Sequence, residues 1–207
     1  MRTFIAIELS KEIKDFLSFL QDKLKDSRAD VKWVSPENIH LTLKFLGEID
    51  DKKLDKIIQI AEDITKDKKT FYLRLSSIGV FPNINFPRVI WAGVDKGDAE
   101  TKEIVKVLEE KIAKIGIPPE SRAFSSHITI GRVRSSLNRK ELIKSLDYLQ
   151  SNFGQENLAL HKSLADQSAD SCGRLELRVT KITVFKSTLT PKGPIYEVLK
   201  EASLRTN

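Results

Sequence analysis

Two copies of one short pattern carry the residues that can do acid–base chemistry. The chain contains three histidines, and two of them open the tetrapeptides HLTL (His40 to Leu43) and HITI (His127 to Ile130). An imidazole can hold or release a proton near neutral pH, so a pair of them can act as an acid and a base in one reaction. The threonine hydroxyl beside each histidine can donate a hydrogen bond to a phosphoryl oxygen.

Each tetrapeptide has the alternation of a half-buried strand. Side chains on a strand point to opposite faces in turn, so His40 and Thr42 share one face, as do His127 and Thr129. One such tetrapeptide alone is typical of ordinary strands, and only its repetition favours a site. We predict that a pseudo-twofold arrangement brings the two strands together, with one histidine on each side of a phosphorus atom. This geometry suits in-line displacement, in which the attacking and leaving oxygens lie on opposite sides.

Two other kinds of site fit less well. A zinc site would have one histidine ligand per strand, and no cysteine or acidic residue lies at ligand spacing. A serine hydrolase of the nucleophile-elbow type would carry G-x-S-x-G, which the sequence lacks. The third histidine, His161, is interpreted as a solvated residue, and the single cysteine, Cys172, as a bystander.

Length and composition indicate a globular chain of 207 residues, 40% of them apolar, with a formal net charge of +6. This is enough for one domain over 1–207 or for two small lobes that share a core, and it argues against a disordered chain. The single cysteine excludes an intramolecular disulfide and suits the cytoplasm. No apolar run approaches the roughly 18 residues of a membrane span. The positive charge favours a phosphate-bearing partner, although the basic residues alternate with acidic ones as on solvated helices.

The elements that must position the histidines are short strands interleaved with helices. The alternation predicts strands at Thr3 to Leu9, Val31 to Trp33, Ile39 to Phe45, Phe71 to Val80, Val89 to Val94, His127 to Val133, Leu175 to Phe185 and Ile195 to Leu199. Helical spacing predicts helices that begin near Ser10, Asp50, Asp98 and Asn138. The small and polar residues of 152–173 predict a long inserted surface loop. Connections too tight for crossovers favour an α+β fold with antiparallel sheets.

Several stretches besides the two tetrapeptides resemble a known family. They are Arg2 to Ile7, His40 to Gly47, Gly79 to Pro82, Pro87 to Trp91, His127 to Arg132, Lys186 to Leu189 and Gly193 to Tyr196. In this order they are similar to the two-histidine phosphoesterase superfamily and, within it, to the RNA 2′,3′-cyclic phosphodiesterases, also called 2′-5′ RNA ligases. The resemblance implies a bilobal α+β fold, in which two antiparallel sheets face a central cleft and the helices lie outside.

The resemblance also implies an activity, the opening of a terminal 2′,3′-cyclic phosphate on RNA to a 2′-phosphate without a metal or other cofactor. It gives His127 the role of the base that takes a proton from water, and His40 that of the acid that protonates the leaving 3′ oxygen. Thr42 and Thr129 would hold the phosphoryl oxygens. The partners would be RNA ends or nucleotides with a cyclic phosphate, and we expect a monomer. Ligation through a 2′-5′ linkage, and binding of a nucleotide or RNA end without turnover, remain alternatives.

Four further residues are candidates for contacts with the substrate. By alternation, Lys44 shares the face of the first histidine and would add positive potential. Arg132 falls on the face opposite the second histidine unless Gly131 introduces a bulge, and a surface salt bridge is its alternative role. Phe4 and Tyr196 are candidates for stacking on a base, and a place in the core is the alternative for Phe4.

Overall fold

The computed structural model describes residues 1–164, 175–191 and 193–206, with side chains described up to residue 156 in the first range. Within these ranges the chain forms nine strands, four α-helices and one turn of 3-10 helix at Pro36–Asn38. The strands are β1 (Arg2–Glu8), β2 (Val31–Trp33), β3 (His40–Glu48), β4 (Phe71–Phe81), β5 (Val89–Val94), β6 (His127–Val133), β7 (Glu176–Val179), β8 (Lys181–Thr190) and β9 (Gly193–Ser203). The helices are α1 (Lys11–Lys25), α2 (Asp51–Lys66), α3 (Asp98–Ala113) and α4 (Arg139–Leu164).

The strands of the described residues pair into one sheet in the order β7-β4-β5-β6-β3-β1-β8-β9, with β2 added against β6. Every pairing between these strands is antiparallel, so the predicted α+β class with antiparallel strands is confirmed. The two separate sheets that we expected are joined, because β3 and β6 pair through Leu41 and Ile128. We call the strands β3, β1, β8 and β9 the His40 half, and the strands β6, β5, β4, β7 and β2 the His127 half.

The helices pack against one face of this sheet. Apolar stripes of all four helices share a core with the inward side chains of β1, β3 and β6, among them Ile5, Leu41 and Ile128. Phe4 and Ala6, on the opposite face of β1, belong to a separate small cluster. Each fully buried large apolar side chain contributes about 1.5–3 kcal/mol. The helix face of the sheet therefore holds the fold together, and the other face is free to carry a site.

The helices begin where the sequence predicts. The hydroxyl of Ser10 accepts a hydrogen bond from the backbone N–H of Ile13 at 3.4 Å, and the Asp50 carboxylate accepts one from Lys53 at 2.7 Å. Such caps satisfy backbone donors that have no partner within the helix. None of the helices in the described ranges combines the length and the apolar character needed to cross a lipid bilayer.

The first part of the predicted loop 152–173 is helical instead, because α4 continues to Leu164. Phe153 extends the buried stripe of this helix, and its ring packs edge-on against a phenylalanine of α1 with centroids 5.5 Å apart. The backbone at His161 is therefore helical rather than part of a loop. The rest of the predicted loop, with Cys172, lies outside the described residues.

The strand predicted from Leu175 to Phe185 is two strands in different halves of the sheet. Strand β7 pairs with β4 in the His127 half, and β8 pairs with β1 in the His40 half. Only Thr180 separates them. Alternation reports which face a side chain takes, but it does not report the partner strand. Because the two strands lie far apart in the sheet order yet adjoin in the chain, the sheet must be strongly curved.

Candidate active site

The two histidine tetrapeptides lie side by side in the middle of the sheet. Leu41 of β3 is the register partner of Ile128 of β6, and the two strands are antiparallel. Each histidine therefore stands opposite the threonine of the other strand. His40 and His127 are diagonal neighbours, a relation that separates two residues by roughly 7–8 Å. The register thus places two imidazoles and two hydroxyls around one point on the face away from the helices.

The backbone holds both imidazoles in the same way. Nδ1 of His40 lies 2.8 Å from the carbonyl oxygen of Asn38, and Nδ1 of His127 lies 2.8 Å from that of Ser125. A carbonyl oxygen only accepts hydrogen bonds, so Nδ1 carries the proton and donates in each pair. The other ring nitrogen, Nε2, is left to take or give a proton in both rings.

Aromatic side chains enclose His40. The ring of Phe4 stacks on the imidazole at 4.8 Å between centroids, and Tyr196 meets it edge-on at 5.4 Å. Burial lowers the pKa of His40 below its ordinary value, the hydrogen bond to Asn38 opposes this shift, and the positive charge of Lys14 adds to it. His40 therefore favours its neutral form in the free protein.

The surroundings of His127 are built differently. Phe81 meets its ring edge-on at 5.1 Å. Trp91 lies across two glycines, Gly79 of the neighbouring strand β4 and Gly93 of its own strand, since a Cβ atom on Gly79 would come within 2.5 Å of the indole and one on Gly93 within 3.1 Å. The missing side chains let the indole lie flat on the sheet. Trp91 therefore forms a floor beside the His127 imidazole.

The two threonines are half-buried beside the histidines. Among the residues that the structure describes, neither Thr42 nor Thr129 donates its hydroxyl to another protein group. Both hydroxyls are therefore available to donate to oxygens of a bound phosphate.

A β-bulge follows the second tetrapeptide and turns Arg132 toward the site. Trp91 and Val89 of β5 are two residues apart and share a face, and they pair with Thr129 and Arg132. Ile130 is the extra residue of the bulge. From the sequence, Arg132 can reach the substrate only if the strand carries a bulge, and that bulge is present. The exposed side chain of Arg132 lies on the same face as Thr129.

The same bulge follows the first tetrapeptide and turns Lys44 away. Leu43 is the extra residue, so Lys44 faces the helices and is only 2% exposed. Its Nζ lies 2.8 Å from Glu109 Oε2 and donates to the Pro118 carbonyl at 3.1 Å. Our expectation that Lys44 shares the face of the first histidine is wrong, because the bulge reverses the alternation. Lys44 ties β3 to α3 instead.

Phe45 takes the place that alternation had given to Lys44. It is the register partner of Phe4, it is 53% exposed, and the two ring centroids lie 6.1 Å apart. Its position in the His40 half corresponds to that of Arg132 in the His127 half. Sequence reasoning missed Phe45, and the sole signal was the three-residue spacing of Leu43 and Leu46, which breaks the alternation.

Phe4 and Tyr196 differ in what they can contact. Phe4 is 3% exposed and lies beneath the His40 ring. It therefore cannot stack on a base, and it belongs to a small buried cluster, which was the alternative for this residue. Tyr196 is partly exposed. Burial raises the pKa of its hydroxyl, and the positive charges of Arg132 and Arg2 oppose that shift. Two guanidinium groups therefore lie close to the rim of the site.

A paired set of histidines and threonines on one face of an antiparallel sheet is the arrangement that the sequence predicts for a phosphoesterase site. The sequence matches the family described as LigT-like phosphoesterase over residues 7–91, which contain the first tetrapeptide.

Relatives extend this match to the whole chain. The RNA 2′,3′-cyclic phosphodiesterase of Methanocaldococcus jannaschii is 37% identical over 97% of this chain and 99% of its own. That of Methanothermobacter thermautotrophicus is 33% identical over 95% of each. A crystal structure from Thermus thermophilus superposes with a TM-score of 0.75 at 26% identity, covering 100% of this chain and 99% of that one. The chain belongs to the RNA 2′,3′-cyclic phosphodiesterase family, as the resemblance implied.

Proposed function

We propose that the protein opens the 2′,3′-cyclic phosphate at an RNA end with water and leaves a 2′-phosphate. The reaction takes place in a cleft between the His40 half and the His127 half. The observation that carries the proposal is the register of Leu41 with Ile128, which sets two imidazoles diagonally across adjacent strands. The names of the relatives support the same substrate.

The reaction needs two proton transfers at one phosphorus atom. Nε2 of His127 takes a proton from water as the water oxygen bonds to phosphorus. The bond from phosphorus to the 3′ oxygen breaks, and Nε2 of His40 gives its proton to that oxygen. Each such transfer contributes about 10²–10⁴ in rate. The proton states are then restored by exchange with solvent, and no metal or other cofactor takes part.

The hydroxyls and the arginine stabilise charge on the phosphoryl group. Thr42 and Thr129 donate to the two non-bridging oxygens without bringing a charge that must be desolvated. Arg132, on the same face but three residues further along β6, raises the positive potential of the site. Phe45 offers an exposed ring on the opposite flank, on which the base of the terminal nucleotide stacks. Tyr196 closes the rim next to His40.

The test is to identify the product of one turnover in ¹⁸O-labelled water. We expect a 2′-phosphate that carries one labelled oxygen, resolved from the 3′ isomer by ³¹P NMR and mass spectrometry. A 3′-phosphate, or an unchanged cyclic phosphate, would contradict the proposal. An unchanged substrate that remains bound would favour a binding role without turnover. Ligation would run the same path in reverse, with a 5′-hydroxyl in place of water. A monomeric state and a cytoplasmic location remain predictions from the sequence.

A further inference from the structure

Strand β2 lies at the border of the His127 half, against β6, and brings a lysine onto the site face. Lys32 is the register partner of Arg132. A Cβ atom on Gly131 would lie 2.9 Å from a methyl group of Val31 and 3.0 Å from the indole of Trp33, so these two side chains lie on the helix face. Alternation then puts Lys32 on the other face, next to Arg132.

The two cations of this pair are not neutralised. Both Lys32 and Arg132 are exposed, and within the described part of the chain neither forms an ion pair or a side-chain hydrogen bond. Several lysines on the helices differ, because they pair with acids three or four residues away, as Lys11 does with Asp15 and Lys102 with Asp98. A cation without a carboxylate partner keeps its full attraction for phosphate.

The corresponding flank of the His40 half lacks such cations among its described lysines. Lys181 pairs with Glu8 and Glu201, and Lys186 pairs with Glu197 at 2.6 Å. The hairpin of β8 and β9 therefore presents lysines whose charge is already balanced. Arg2 is the one exposed cation on the described strands of the His40 half that forms no ion pair, and it stands alone, whereas Lys32 and Arg132 are register partners. A chain of phosphates that leaves the site is therefore attracted more strongly to the His127 half.

The spacing along β6 fits successive phosphates. Arg132 lies three residues beyond Thr129, which amounts to about 10 Å at roughly 3.3 Å per residue, and somewhat less across the bulge. A single-stranded RNA that places its cyclic phosphate at the histidines therefore has its next phosphates near this pair.

We propose that Lys32 and Arg132 form a subsite for the backbone phosphates of RNA next to its cyclic-phosphate end. This inference rests on the proposed function and deepens it, because it makes the substrate an RNA chain rather than a free cyclic nucleotide. Affinity contributed by phosphate contacts falls with salt, with a slope of about 0.7 per contact on single strands. Raising salt fourfold therefore weakens binding by about 2.6-fold for each contact.

The experiment compares a 2′,3′-cyclic mononucleotide with a six-nucleotide RNA that ends in the same cyclic phosphate. For Lys32→Ala we expect an unchanged KM for the mononucleotide, a KM for the RNA raised roughly two- to fivefold, and a salt slope for the RNA lowered by about 0.7. The matched control is Lys52→Ala, which removes an exposed lysine of α2 on the helix side. This control is expected to behave as the wild type on both substrates.

Two results would overturn the inference. One is a Lys32→Ala variant with wild-type KM and salt slope on the RNA, and the other is an equal change on both substrates. Binding of the 5′-fluorescein-labelled RNA, followed by anisotropy, gives the same salt slope without turnover. If the wild type turns over neither substrate, the proposed function fails. The salt dependence of RNA binding by the wild type and by Lys32→Ala, measured by anisotropy, still decides whether the subsite exists.

Discussion

The two halves of the molecule share one backbone arrangement but carry different side chains beside it. In each, a histidine and a threonine share a face, the histidine Nδ1 donates to a carbonyl two residues upstream, and a bulge follows the tetrapeptide. The residue that the bulge turns outward is Phe45 in the His40 half and Arg132 in the His127 half. In the proposed reaction the shared backbone positions the groups at the phosphorus atom, and the outward residues contact different parts of the nucleotide.

The halves also differ in how much water reaches the imidazole. His40 contacts the rings of Phe4 and Tyr196, which also contact each other. His127 meets Phe81 at its edge and lies beside the flat indole of Trp91. Equal motifs therefore lie in unequal surroundings, and burial by the rings of Phe4 and Tyr196 lowers the pKa of His40.

Removing either imidazole gives the largest expected effect and tests whether both halves are needed. His40→Ala and His127→Ala are each expected to fold and to lose about 10²–10⁴ in kcat, and the double variant loses little more, because the two groups act in one step. Steady-state kinetics with a cyclic-phosphate RNA measure this. A wild-type kcat in either single variant would show that the histidine of that half is not needed for turnover.

The residues that the bulges turn inward also differ, Lys44 in one half and Gly131 in the other. Glu109→Ala leaves the buried Lys44 ammonium without its partner, and we expect a loss of about 3–5 kcal/mol in the free energy of unfolding. Lys44→Met leaves a partly exposed carboxylate and is expected to cost less. Urea denaturation of both variants measures the difference, with Lys44→Met/Glu109→Leu as the compensated control. A Glu109→Ala variant as stable as the wild type would show that the pair does not tie β3 to α3.

The outward residues sharpen the comparison further. Phe45→Ala is expected to raise KM by about 5- to 150-fold, the range of base–aromatic stacking, without changing its salt dependence. Arg132→Ala is expected to raise KM less and to lower its salt slope by about 0.7. KM values for a cyclic-phosphate RNA, measured across a salt series, separate the two effects. If both substitutions change the salt slope in the same way, Phe45 and Arg132 do not have the different roles of base stacking and phosphate binding.

The smallest effect concerns pH. As the acid, His40 must be protonated, and its pKa in the free protein is lowered below 6.5. We expect kcat/KM to fall as pH rises through this lowered pKa. A bound phosphodiester adds a negative charge, which raises the pKa of His40 and moves the descending limb of kcat to higher pH.

Profiles of kcat and kcat/KM between pH 5 and pH 9 locate both limbs. Lys14→Gln removes a charge that lowers this pKa and is expected to move the limb of kcat/KM upward. A descending limb of kcat/KM well above the ordinary histidine range would contradict the role of His40 as the acid.

Local sequence patterns were enough to predict the two motifs and most of the strands and helices. The alternation around His40 and His127 assigns each histidine and its threonine to one face, because strand periodicity depends only on neighbouring residues. The helix starts at Ser10 and Asp50 follow from cap chemistry for the same reason.

The features that the sequence alone did not reveal depend on partner strands. A bulge is a mismatch in length between paired strands, so neither Leu43 nor Ile130 marks it in isolation. The misplacement of Lys44 and the omission of Phe45 both follow from that bulge. The division at Thr180 was missed because β7 and β8 find their partners in different halves of the sheet.

The most direct test of the central claim is the response of each histidine variant to a better leaving group. A cyclic substrate in which sulfur replaces the 3′ oxygen releases a thiolate, which needs no proton from an acid. We predict that His40→Ala regains most of its lost rate on this substrate, whereas His127→Ala remains impaired. Equal losses on both substrates in the two variants would contradict an acid and a base on opposite sides of one phosphorus atom.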